Sequence, residues 1–194
     1  MQTDEIKGLV ISALGLAIAF AIAFSGGIFS VDVVTLPSTF IISLVAVSFG
    51  FVLHEIGHRT MARRFGCFAE YQMWSNGILL AIFLSLFGFV FAAPGAVVIH
   101  PRIDLWGRIV PISKKKFGLI SLSGPVMNIC LGVIFVVLNI LTPMSIFSFG
   151  ARVNAWLAIF NLIPFPPLDG FRVFRWDKGV WLIAIASASF IFFL

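Results

Sequence analysis

The sequence predicts an all-α polytopic membrane protein, with about five to six transmembrane segments and a re-entrant or short β element near residues 92–99. Three observations carry that prediction. Of the 194 residues, 60% are apolar and only 11% are charged, whereas a soluble domain has roughly 45–50% and about 25%. So much apolar surface cannot be hidden inside a soluble fold of this size, and lipid is its natural solvent. The apolar residues also fall in stretches close to the ~20 residues that a helix needs to cross the hydrocarbon core. Finally, Lys and Arg flank these stretches, as they do beside membrane spans. The length suits a single domain over residues 1–194,.

The first stretch runs from Gly8 to about Phe29 and is interrupted by Ser25-Gly26-Gly27. Its leader, Asp4-Glu5-Ile6-Lys7, is acidic as well as basic, which argues for a retained helix over a cleavable signal,. A turn holding Asp32 and Pro37 leads to the second stretch, which continues to about Phe65 and ends in Arg59, Arg63 and Arg64. Residues 67–74 read as irregular or extended. The third stretch, 78–99, is broken by Pro94-Gly95, and a basic loop follows with Arg102, Arg108 and Lys114 to Lys116. Phe117 to Leu141 and Ser145 to Ile163 form the next two stretches. A Pro-rich segment, Pro164 to Gly170, separates them from a basic run (Arg172, Arg175, Lys178) and a short last span, Gly179 to Leu194.

The basic residues orient the chain. With the N-terminus in the cytoplasm, Arg63-Arg64 and Arg172 to Lys178 are both cytoplasmic, and only Arg152 falls outside,. A simple crossing by 78–99 would then put Lys114 to Lys116 on the wrong side. Hence this segment is expected to enter and return, turning near Pro94-Gly95, with residues 92–99 running back as a strand that pairs with 68–74. Such backbone is tolerated at depth only against protein or a water-filled cavity. Trp74, Trp106, Trp176 and Trp181 lie near the expected cytoplasmic boundary, where amphipathic rings anchor,.

Several function classes drop out. The net charge is +5, but the basic residues follow the spans and do not interleave with aromatics as a nucleic-acid surface requires,. Cys67 and Cys130 are far apart and read as small buried residues, not a disulfide,.

The chemistry sits in the second stretch. His54-Glu55-Ile56-Gly57-His58 reads H-E-x-x-H. On a helix, side chains four apart share a face, with Cβ atoms about 5–6 Å apart, so His54 and His58 can hold one zinc ion. Glu55 is rotated off that face, where it can act as general base on the attacking water. Ionisable groups inside an apolar span are functional by default, because burying them is costly.

A catalytic zinc takes three protein ligands and keeps one open position. Among the eight acidic residues, Asp4, Glu5 and Asp32 are terminal or in a loop, and Glu70, Asp104 and Asp177 read as interface groups. His100 reads as an interface residue and not as a metal ligand. Asp169 follows a Pro-rich break that prevents a regular helix and precedes Gly170. Its position fits either a third ligand or an ordinary carboxylate at a helix start. Asn128 and Asn161 sit in apolar stretches, either as structural glue between helices or as groups that bind substrate backbone or an oxyanion. Gly124 and Gly132 suit close helix packing.

Together these residues resemble the site-2 protease family of intramembrane zinc metalloproteases. Three elements match in order: H-E-x-x-H at His54 to His58, G-x-x-x-N at Gly124 to Asn128, and Asn-x-x-Pro-x-x-Pro-Leu-Asp-Gly from Asn161 to Gly170. The match spans about 37–178. The resemblance implies that Asp169 is the third ligand of one Zn2+ per chain, that Asn128 has a substrate role, and that the substrate is a transmembrane protein segment cut in regulated intramembrane proteolysis. It also implies a multi-pass cell-membrane protein whose active site faces the cytoplasm. Many members carry a PDZ or a nucleotide-sensing domain. The 194 residues leave no room for either, so a minimal core is expected. Two other classes compete. A metal transporter would need polar residues in the outer half, which is nearly bare of them. A non-catalytic adaptor for transmembrane helices has no use for Glu55. Neither the oligomeric state nor the substrate's identity is legible.

Overall fold

A computed structural model describes residues 3–30, 32, 34–101, 106 and 108–194. Arg102 and Asp104, named above, lie outside the described residues. The chain is mostly helical. Helix α1 (Thr3–Phe24) is followed by the short α2 (Gly27–Ser30) and the long α3 (Leu36–Arg64). Strand β1 (Phe68–Met73), α4 (Ser75–Ser85) and β2 (Gly95–His100) come next, then α5 (Lys114–Leu141), α6 (Ser145–Asn161), α7 (Asp169–Trp176) and α8 (Lys178–Phe193).

Among the described residues, three helices, α1, α3 and α5, are long and apolar enough to cross a membrane. The apolar stretches after α5 form α6 and α8, of 17 and 16 residues. Helix α1 begins at Thr3 and not at Gly8, because its first turn has a partner. Glu5 is buried and takes the Arg59 guanidinium at 2.8 Å. Helix α3 opens with Pro37 in its first turn, where the missing N–H is harmless,. Gly66, at φ +74°, lets the chain turn away after its last basic residues,.

The segment after α3 enters and returns. Eleven residues of α4 span roughly 16 Å,, far short of the ~30 Å hydrocarbon core. The chain then reverses, and β2 pairs antiparallel with β1 in the register Phe68↔His100 to Met73↔Gly95. The expected pairing of 92–99 with 68–74 is thereby found, with the strand itself beginning at Gly95. The Tyr71 N–H donates to Glu5 Oε1 at 2.9 Å and its hydroxyl lies 2.8 Å from Ser12 Oγ, so β1 is pinned along α1. Burial raises the pKa of the Tyr71 phenol, which keeps it neutral,.

Helices α3 and α5 run antiparallel: His58 meets Ile120, and His54 meets Asn128. Lys116 near the start of α5 lies over the Phe65 ring at the end of α3. These ends therefore share one side of the molecule with the N-terminus of α1. The core lies between α1, α3 and α6 and includes Leu16, Phe20, Val47, Phe51, Val153 and Leu157.

Candidate metal centre

The α3 helix places His54, Glu55 and His58 together, at 4%, 7% and 5% exposure. Both imidazoles face α5, and their Nδ1 atoms are engaged behind the site. His58 Nδ1 is 2.8 Å from Ile120 O, and His54 Nδ1 is 2.6 Å from Asn128 Oδ1. The carbonyl oxygen can only accept, so His58 Nδ1 donates and its Nε2 carries a lone pair.

Asp169 arrives from the other side. The Pro-rich segment ends α6, Leu168 is extended (φ −65°, ψ 157°), and α7 begins at Asp169. Its Oδ2 lies 3.4 Å from His54 Nε2 and 3.0 Å from His58 Nε2, and the side chain is only 13% exposed. The two Nε2 atoms are 3.0 Å apart. Three donor atoms at such spacing match a tetrahedral zinc site, in which bonds of about 2.0–2.2 Å put ligand atoms roughly 3.3 Å from one another. Without a cation, their lone pairs would converge on one another. Among the described residues, His54, His58 and Asp169 are the group able to hold a metal ion, and its two nitrogens and one oxygen suit Zn2+.

Two glycines make the approach possible. A Cβ at Gly124 would stand 2.6 Å from His54 Nε2 and closer still to His58 Nε2. Gly124 therefore keeps open the space beside the donor atoms, beyond the packing role that its sequence context suggests. A Cβ at Gly170 would stand 2.6 Å from Ile163 O and closer to Leu162 O, so only glycine lets the start of α7 press onto the end of α6. Gly124→Ala is expected to lower zinc affinity by more than tenfold while the helices still assemble. Zinc content after dialysis, beside circular dichroism, checks this.

Glu55 Oε2 is buried with no hydrogen-bonding partner in the protein. Such an atom is costly unless water or a ligand meets it. A cleft of about 470 Å3 opens onto Glu55, both histidines and Asp169, with β2 along one wall and Asn161 and Arg172 beside it. Asn161 donates to Leu157 O at 2.9 Å. Asn128 is fully buried behind His54, and its Nδ2 donates to Gly50 O (3.0 Å) and Asn154 Oδ1 (3.1 Å). In this arrangement both ends of its amide meet protein groups. The other candidates hold local structure. Glu70 pairs with the half-exposed His100 at 3.3 Å, Asp177 caps α8 through Gly179 N and Val180 N, and Asp32 Oδ1 accepts from Val34 N. Asn154 lies outside every sequence motif of the site, and its one sequence signal is an asparagine within an apolar stretch.

Fold and site together define a helical protein with membrane-length apolar helices and a zinc ligand set. Comparison with known proteins agrees. The chain is 40% identical over 185 residues to "Putative zinc metalloprotease MJ0611" of Methanocaldococcus jannaschii, covering 92% of this chain and 87% of that one. It is 26% identical over 151 residues to "Putative zinc metalloprotease YwhC" of Bacillus subtilis, covering 67% and 66%. No family model matches the chain, and no solved structure matches it. The chain belongs to this zinc metalloprotease family.

Proposed function

We propose that this protein is an intramembrane zinc metalloendopeptidase of the site-2 protease kind, which hydrolyses peptide bonds in or near transmembrane segments of membrane proteins. The observation that carries the reading is the unpartnered Glu55 Oε2 beside three converging donor atoms, on a helix apolar enough to cross a membrane. Zinc held by these residues would supply Lewis acidity and lower the pKa of water beside it. Glu55 is placed to accept a proton from the attacking water and return it to the leaving amine. His54, His58 and Asp169 are placed to hold the centre, and the cleft that opens onto them gives water and substrate a path to it. A transmembrane helix has its carbonyls bonded within itself, so the substrate must unwind before attack. Strand β2 lines the cleft, and its edge away from β1 can pair with the opened segment.

Orientation follows the charges. The side that carries the start of α1 and the end of α3 also carries Arg59, Arg63, Arg64 and Lys116. The positive-inside rule makes this side cytoplasmic, with the N-terminus and the active site facing it in the cell membrane. The unpartnered base favours this reading over the adaptor and the transporter.

The test uses full-length protein in lipid vesicles with a set of single-span membrane proteins, the fragments being mapped by mass spectrometry. Expected are cuts within or beside the spans that disappear in Glu55→Gln. Cleavage confined to soluble peptides would overturn the intramembrane assignment.

A further inference from the structure

The hydrogen bonds behind His54 lead to Asn154 on α6, a residue outside every motif of the site. We propose that Asn154 is a positioning residue which, through Asn128, sets the nitrogen that His54 presents to the metal. This inference rests on the zinc reading of the three-donor site.

The chain of contacts starts at backbone carbonyls, which only accept. Asn154 Nδ2 donates to Gly150 O at 2.9 Å, one turn back on α6. Its Oδ1 is thereby turned towards Asn128, 3.1 Å from Nδ2. Asn128 Nδ2 also donates to Gly50 O at 3.0 Å, on α3. An amide nitrogen carries two hydrogens, and both are now engaged. Asn128 can offer His54 only its Oδ1, which stands 2.6 Å from Nδ1. An acceptor there requires the hydrogen on Nδ1, and the Nε2 lone pair is left for the metal. Both asparagines are 0% exposed, so solvent does not compete.

The two histidines differ in what holds them. His58 faces a backbone carbonyl, which cannot flip. His54 faces a side-chain amide whose two ends are nearly the same size. A flipped Asn128 would point NH2 at Nδ1 and favour a hydrogen on Nε2, aimed at the metal position. Gly50 O resists this flip, and Asn154 Oδ1 is a second acceptor that opposes it. The relay thus joins α3, α5 and α6 at the metal ligand.

The test uses the zinc-loaded full chain in detergent, labelled with 15N-histidine, and reads the ring nitrogens by long-range 1H–15N NMR beside zinc affinity from chelator competition. In the parent, His54 is expected to carry hydrogen on Nδ1 and metal on Nε2. Asn154→Leu is expected to lose zinc affinity by about 10–100-fold, the range for groups that orient a metal-bound histidine, with the His54 signals altered and those of His58 unchanged. Asn154→Asp, whose neutral carboxyl repeats the donor and the acceptor, is expected to restore parental affinity. Asn154→Leu added to Asn128→Leu is expected to cause no further loss. Unchanged affinity and His54 shifts in Asn154→Leu would overturn the proposal, as would losses that add fully in the double variant. Metal on Nδ1 of His54 in the parent would overturn it without any variant. A parent that binds no zinc is a different result and refutes the metal reading itself.

Discussion

Asp169→Ala is expected to leave the purified protein with almost no zinc, against about one ion per chain in the parent, and with no measurable proteolysis. Asp169 Oδ2 is the oxygen donor among three ligand atoms that lie 3.0–3.4 Å apart. Its removal leaves two histidines, and a catalytic zinc site needs three protein ligands. The loss should exceed the ~10–100-fold that an orienting partner contributes. Asp169 also sits in the first turn of α7, where a carboxylate favours the helix by roughly 0.3–1 kcal/mol,. Asp169→Asn keeps the shape with most of that charge effect removed, and it should lose zinc nearly as fully. Elemental analysis of both variants after gel filtration decides the matter. About one zinc in Asp169→Ala would reduce Asp169 to the carboxylate that starts α7.

Glu55→Gln is the second large effect, and it has the opposite signature. Glu55 is rotated off the face that His54 and His58 share, so its loss should leave zinc content at the parental level. A general base is worth roughly 10²–10⁴ in rate, and cleavage of any substrate that the parent cuts should fall by that factor. Stability should not fall. Oε2 is buried without a partner in the protein, and a neutral amide is cheaper to bury than a carboxylate. Zinc content, thermal midpoint and turnover measured on one preparation separate the two roles. Parental turnover in Glu55→Gln would remove Glu55 from catalysis.

Much of this architecture was legible because its signals are local. The apolar stretches report on lipid burial whatever their neighbours do. H-E-x-x-H fixes the relative placement of its own side chains, since a helix brings residues four apart onto one face. The re-entrant segment was also readable, because Lys114 to Lys116 had to lie on the side of Arg63 and Arg64. Where α1 begins was not readable. Asp4 and Glu5 look like a polar leader until Arg59, 54 residues away, is seen to donate to Glu5.

The site beyond α3 depended on partners that composition does not mark. In a chain that is apolar almost throughout, helix faces carry little information about which neighbour they meet. Sequence alone could not tell whether Asn128 meets substrate, another helix or His54, because that is set by the antiparallel seating of α5 on α3. The same seating turns Gly124 from a packing glycine into the space beside two imidazoles. Asp169 had two readings of equal standing on its position alone, and the contact of α7 with the end of α6, which Gly170 permits, brings it to the histidines. By itself, then, the sequence determined the membrane environment, the two histidines with their base, and the return of the chain near Pro94. Tertiary structure brought the third donor, which the family resemblance names, onto the histidines, and it alone decided the tautomer-setting amides and the empty volume at Gly124. The physical reason is range: helical periodicity and hydropathy act over a few residues, whereas a metal site is closed by contacts between helices more than 60 residues apart.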